Sequence, residues 1–184
     1  MILCRLGVLA LALPAALVAQ SATNAPVARA VAVPPATPSA AYRGFAPGVP
    51  YKDFVQRARA LAVRDRLVCN TAKRTAQVME CGVAIRDPSD SARFYLSASV
   101  IDGSVAMLSF HDSGGPGLVD RLRAELTTTL GPGSRIGRST LEWVYGRKVV
   151  RFSWRGRGKA RWIYVSLEDR DVTDRISKYV QRRR

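Results

Sequence analysis

The 184-residue chain has little of what metal sites and acid–base catalysis most often use. It contains one histidine, His111, and three cysteines, of which Cys4 lies near the N-terminus. No second ligand pair accompanies the other two cysteines, so no zinc site is expected. The only dense carboxylate group, at 168–174, fits a turn and a helix start, and no glycine-rich phosphate loop is present. We therefore expect no enzyme, no catalytic residue, no metal and no cofactor.

The stretch "HDSGGPG" at 111–117 resembles the nucleophile loop of the chymotrypsin-type serine proteases. A nucleophilic serine needs a histidine base that is itself oriented by a carboxylate. The only histidine stands two residues before Ser113, too close along a strand end for that geometry. We interpret residues 113–117 as a glycine-rich turn that leaves a strand.

Long apolar runs are absent after the N-terminal segment. There, Arg5 precedes an apolar run from Leu6 to Ala19 that is followed by small residues, the order typical of a secretory signal peptide. The run is shorter than the about 20 residues of a membrane span. We predict that residues 1–20 are removed on export to a bacterial periplasm or beyond, leaving no stable membrane span.

Loss of that segment would leave an even number of cysteines in an oxidising compartment, where pairing is the default. We predict a disulfide between Cys69 and Cys81, which would close a loop of 13 residues. A loop near this size stabilises a fold by about 3 kcal/mol in the chain-entropy model. Two buried free thiols are the alternative.

Acidic residues are also scarce, with 14 against 29 basic ones and a net charge of +15. Such a balance can indicate a polyanionic partner. The basic residues are 24 arginines and 5 lysines in an alanine-rich chain, so genome composition is the other explanation. Export argues against nucleic acid, which leaves an envelope protein or an anionic envelope component such as lipopolysaccharide as the expected partner.

The composition changes near residue 50. Residues 21–50 are rich in proline and alanine and predict a flexible tether, and residues 51–181 predict a single α+β domain. Helical spacing predicts helices from Tyr51 to Leu67 and from Leu118 to Leu130, and a short C-terminal helix capped by Asp171. Alternating patterns predict six strands: Ala76–Ile85, Arg93–Ile101, Ser104–Phe110, Leu141–Tyr145, Lys148–Trp154 and Ala160–Leu167.

The predicted fold is an antiparallel sheet with helices on one face, in the order helix-β-β-β-helix-β-β-β. A faint echo between "FVQRARA" at 54–60 and "LVDRLRA" at 118–124 fits either an internal duplication or chance.

A family resemblance covers residues 118–167. A helix, "LGPG" at 130–133, "EWVYG" at 142–146 and two further strands resemble the small envelope modules typified by the outer-membrane assembly lipoprotein and the β-lactamase inhibitor protein. The chain differs from them in having no lipidation cysteine and one opening helix. The resemblance implies an interaction scaffold without catalysis.

One surface stands out as a binding candidate. Alternation places Arg151 and Arg155 on the face opposite the core, and Trp162 and Tyr164 beside them on the next strand. Arginine among aromatic rings is typical of protein interfaces and of sugar or anion binding, and also of a merely solvated face. We expect an exported, non-catalytic binding or adaptor protein of the cell envelope. The alternative is direct binding of anionic lipid or glycan through these four residues.

Overall fold

The structure, a computed structural model, describes residues 39–64, 66–72, 75–88, 93–114, 117–157 and 161–180. The predicted signal peptide and residues 21–38 of the predicted tether lie outside the described residues. In the described ranges, no helix has both the length and the apolar character needed to cross a membrane.

The chain forms a helix and four strands, and then repeats that order. The elements are α1 (Tyr51–Leu61), β1 (Val68–Ala72), β2 (Thr75–Arg86), β3 (Arg93–Ile101), β4 (Ser104–Gly114), α2 (Leu118–Leu130), β5 (Ser134–Gly137), β6 (Thr140–Tyr145), β7 (Lys148–Arg155) and β8 (Arg161–Asp169). The prediction of three strands per half was wrong because it missed β1 and β5. Nearly all side chains of these two strands are exposed, so neither carries an apolar alternation.

The eight strands form one antiparallel sheet in the order β1-β2-β3-β4-β8-β7-β6-β5, which confirms a sheet-rich α+β fold. The halves join where β4 pairs with β8, from Met107 opposite Glu168 to Gly114 opposite Arg161. Within the first half, the predicted Asp102-Gly103 turn links β3 to β4. Both of its residues have positive φ, 50° and 71°, as a two-residue hairpin requires.

One sheet face, here called the inner face, carries the main core. It packs against α1, α2 and residues 39–50, and its largest fully buried side chains are Phe54, Phe152, Ile85, Leu96, Leu108, Leu126 and Leu167. The sequence predicts a tether up to residue 50, but Ala40, Tyr42 and Phe45 are buried in the core. The backbone of Val105 also exchanges hydrogen bonds with Gly48 and Val49. Residues 39–50 belong to the fold, despite their proline- and alanine-rich composition, because the rings of Tyr42 and Phe45 are buried in the core.

The C-terminal helical segment packs on the opposite face, here called the outer face. It comprises α3 (Arg170–Thr173), a 3₁₀ turn (Asp174–Ile176) and α4 (Ser177–Val180). Val172 joins a small cluster with Ile101 and Ala106, whereas the neighbouring Val100 belongs to the inner core. Successive residues of a strand point to opposite faces, so the prediction of helices on one face holds for α1 and α2 and is wrong for this segment.

Two predicted helix boundaries also change. The helix α1 ends at Leu61 rather than Leu67, because Ala62 turns to an extended conformation and bridges to Ile85. The cap of α3 is Asp169 rather than Asp171. Its carboxylate accepts hydrogen bonds from the backbone N–H groups of Asp171 and Val172, at 3.0 and 3.2 Å.

The motifs "LGPG" and "EWVYG" meet at the C-terminus of α2. The indole Nε1 of Trp143 donates to the carbonyl of Gly131 at 2.8 Å, and the hydroxyl of Tyr145 donates to the carbonyl of Leu130 at 2.7 Å. These carbonyls have no partner within the helix, so the two side chains cap it from β6. The Trp143 ring also lies against Gly133, where a Cβ atom would clash with it.

Cys69 and Cys81 lie directly opposite each other in β1 and β2. Their sulfur atoms are 2.12 Å apart, so the predicted pair is at disulfide distance. The hydroxyl of Tyr51, at the start of α1, contacts the Cys69 sulfur at 3.3 Å. The pair fastens the edge strand β1 to the rest of the sheet.

Candidate binding surface on the outer sheet face

The structure places all four predicted surface residues on the outer face. Arg151 and Arg155 alternate along β7 with buried Val150 and Phe152, and Trp162 and Tyr164 alternate along β8 with buried Ile163 and Val165. Strand register sets Arg155 opposite Trp162. The four side chains are thus gathered on two neighbouring central strands.

An aromatic row crosses the outer face at right angles to the strands. In successive strands, Tyr95, His111 and Tyr164 stand opposite one another. The ring centroids of Tyr95 and His111 are 6.3 Å apart, and those of His111 and Tyr164 are 5.0 Å apart, both edge to face. The guanidinium of Arg155 lies 5.0 Å from the Tyr164 ring centroid and ends the row on β7.

Partial burial between the two tyrosines lowers the pKa of His111. The neutral imidazole is therefore the favoured form in the row. The outermost rings remain open to solvent, since Tyr95 is 52% and Trp162 is 51% exposed.

Sequence reasoning missed Tyr95 and His111 as parts of this surface. Alternation alone could have placed both on the outer face, because Leu96 and Phe110 beside them are apolar. What the sequence could not supply was the pairing of β4 with β8, which joins two distant hairpins.

Arg151 differs from its predicted role as an open anion contact. Its Nε donates to the carboxylate of Glu142 at 2.7 Å, and its Nη1 lies 3.4 Å from a carboxylate oxygen of Glu168. Both carboxylates sit on the strands that flank β7 and are largely buried. The charge of Arg151 is therefore balanced within the sheet.

The remaining charges divide the outer face along its strands. Arg86 and Arg93 are paired at one end of β2 and β3, on the side of the aromatic row. Glu80 and Glu168 lie toward the other end, where Ser99 donates to Glu80 at 2.8 Å. Six residues of strand separate Arg86 from Glu80, a distance of about 20 Å. One end of these strands is thus basic and aromatic, and the carboxylates of Glu80 and Glu168 lie away from it.

Exposed apolar side chains extend across the same face. Besides the two rings, Val68 on β1, Met107 on β4 and Val144 on β6 are 56%, 36% and 54% exposed. Their register with Gly82, Glu168 and Val149 places them on the outer side. Gly82 and Ser97 follow Val68 across the sheet, and Ser99 follows Met107, so these apolar side chains are scattered singly, as is usual on protein surfaces.

Residues 111–114 belong to a strand, whereas the sequence predicts a turn that begins at Ser113. The strand β4 continues to Gly114, and Ser113 pairs with Trp162. Alternation puts His111 and Ser113 on the outer face and Asp112 on the inner one. The three side chains of a catalytic triad are therefore not brought together here.

Within the part of the chain that the structure describes, no three His, Cys, Asp or Glu side chains come close enough to hold a metal ion. Comparison of the chain with protein-family models, with curated proteins and with solved structures gives no match.

Proposed function

We propose that this protein is a non-catalytic binding module of the bacterial envelope that holds a partner protein against its outer sheet face. The observation that carries the proposal is the continuous row Tyr95–His111–Tyr164–Arg155, flanked by the half-exposed Trp162. Tyrosine, tryptophan and arginine are the residues that most often dominate binding energy in protein interfaces. A cysteine pair at disulfide distance supports an oxidising, exported location.

The open part of the face is large enough to contact a protein. Eight strands spaced about 4.8 Å apart and central strands about 30 Å long give a whole face on the order of 1,000 Å², and the C-terminal helical segment covers one end of it. A typical specific interface covers about 800 Å² of each partner. The row of rings lies across the central strands, where a partner would exclude water from it most completely.

Charge favours a protein over a polyanion. Glu142 and Glu168 balance Arg151, and Glu80 adds a further negative charge to the same face. A face that carries both signs of charge complements a protein surface of mixed sign more closely than it does a uniformly anionic lipid or glycan. A partner with an acidic region would instead match the basic end near Arg86 and Arg93, while an apolar side chain on it packs against Trp162.

A site-specific cross-linking experiment tests the proposal. The photoreactive residue p-benzoylphenylalanine replaces Trp162 in one variant and Thr128, exposed on α2 away from the sheet, in a matched control. Illumination of producing cells should give protease-sensitive adducts from position 162 and few from position 128. Equal adducts from both positions would contradict the proposal. So would protease-resistant adducts to lipid or glycan, which would favour the anionic ligand.

A further inference from the structure

A cleft on the inner side of the sheet is separate from the outer face. It lies between the first turns of α2 and the turn at 42–45, and has a volume of about 370 Å³. Phe94, Phe110, Ile163 and Val165 form an apolar floor, and the wall on α2 includes Leu122. Small-molecule sites commonly have 300 to 1,000 Å³ and combine such a floor with a few convergent polar groups.

The turn at 42–45 holds a buried charge at one wall of this cleft. Tyr42 and Phe45 exchange backbone hydrogen bonds of 2.9 Å, and the two residues between them, Arg43 and Gly44, have φ values of 50° and 75°. A left-handed conformation costs a non-glycine residue about 1–2 kcal/mol. The contacts of Arg43 offset that cost, since its guanidinium lies 4.7 Å from the Phe94 ring centroid and its side chain is only 7% exposed.

Charged side chains of both signs line the cleft. Arg43 is bound by Asp87 at 2.7 Å and by Glu125 at 3.5 Å, so its charge is already matched. Asp112 and Arg121 also line the cleft. The lining therefore carries two carboxylates, Asp112 and Glu125, and two guanidinium groups, those of Arg43 and Arg121. Because Arg43 is already held by two carboxylates and Arg121 is exposed to solvent, Asp112 is the partly buried charge that a ligand in the cleft would meet.

Asp112 is the group best placed to receive a positively charged ligand. It belongs to the inner side of β4, two residues beyond Phe110 on the floor. Burial raises the pKa of Asp112, and this effect is opposed by a backbone hydrogen bond from Ser113 and by the charge of Arg43. The ionised carboxylate is thus under-compensated where it stands, and a cation beside it would supply the missing stabilisation.

We propose that this cleft binds a small amphipathic cation, with an aromatic or aliphatic body on the Phe94 and Phe110 floor and an ammonium group at the Asp112 carboxylate. The proposal does not depend on the outer face, because the sheet separates the two sites.

Three probes of matched shape test it: 2-phenylethylamine, 2-phenylethanol and 3-phenylpropanoate. Each is titrated into ¹⁵N-labelled protein, and amide shifts of the cleft residues are followed to about 10 mM probe. The variant Asp112→Asn keeps the shape of the side chain and removes its charge. Its matched control is Asp120→Asn, on the solvent side of α2, where the side chain is 77% exposed.

The amine should bind in the millimolar range or tighter. Its affinity should fall about tenfold or more in Asp112→Asn, because a hydrogen bond to a charged group is lost. Its affinity should not change in Asp120→Asn. The alcohol should bind more weakly than the amine, and the anion most weakly. Equal binding of the three probes, preference for the anion, an unaffected Asp112→Asn variant, or no shifts in the cleft would each overturn the proposal.

Discussion

Reduction of the Cys69–Cys81 pair should lower stability by an amount set by loop length. The two residues are separated by 12 positions, and a closed loop of that size contributes about 3 kcal/mol through the entropy of the unfolded chain. For a folded unit of this size, that loss corresponds to a fall in melting temperature of about 6–12 °C. The double variant Cys69→Ala, Cys81→Ala should fall further, since Cys81 is only 4% exposed and its sulfur packs in the core.

Thermal unfolding followed by circular dichroism, with and without reductant, measures the effect. Intact mass before reduction should be two hydrogens below that of the thiol form. Hydrogen exchange should show where stability is lost, with the faster exchange concentrated in β1, an edge strand that pairs only with β2. Identical melting of oxidised and reduced protein, or full alkylation of both cysteines without reductant, would refute the reasoning.

Three further outcomes are expected. Tyr145→Phe removes one hydrogen bond to the end of α2 and should cost about 1 kcal/mol in urea unfolding; no change would contradict the capping role. Trp143→Phe also removes part of a buried ring and should cost more than Tyr145→Phe. Burial lowers the pKa of His111, so the folded protein favours the neutral imidazole. The folded protein should therefore keep its full stability above the ordinary pKa of 6.5 and lose stability as the pH falls below that value. The variant His111→Gln should lose less stability than the wild type between pH 8 and 5. Parallel plots of unfolding free energy against pH for the two proteins would contradict this expectation. Burial raises the pKa of Asp112, so Asp112→Asn should be more stable at neutral pH, and the gain should vanish below the ordinary value of 3.8; a variant that is less stable at pH 7 would contradict it.

The central strands could be predicted because each carries its own signal. In β3, Phe94, Leu96, Ala98 and Val100 alternate with exposed or half-exposed residues, and the observed bounds are the predicted ones. The Asp102-Gly103 pair fixed the hairpin that follows. These features depend on local sequence. Alternation of apolar and polar residues along a strand directly indicates which of its faces is buried.

The edge strands and the segments that cover the two sheet faces could not be predicted in the same way. The strand β5 is fully exposed, so no apolar pattern marks it, and it exists through its pairing with β6. Residues 39–50 belong to the fold because Tyr42 and Phe45 fit the inner core, which depends on the shape of the assembled sheet. The outer position of α3 depends likewise on the Ile101 and Ala106 cluster.

The candidate surface, too, could be predicted only in part. Trp162 and Tyr164 could be placed beside Arg155 because one hairpin carries all three. The partners of Arg151 were not foreseen, since its contacts with Glu142 and Glu168 depend on the register of three strands. Strand register and long-range pairing, rather than residue chemistry, are what the sequence left undetermined.

The central claim is that the outer face binds a protein. Its most direct test is the affinity of the partner captured from position 162 for the variant Tyr95→Ser, Trp162→Ser. Loss of an interface anchor costs about 2 kcal/mol or more, so we expect binding at least about 30-fold weaker than wild type. Melting temperature should change little, because both side chains are half exposed. Affinity within about twofold of wild type, or an equal loss in the α2 control Thr128→Glu, would contradict the account.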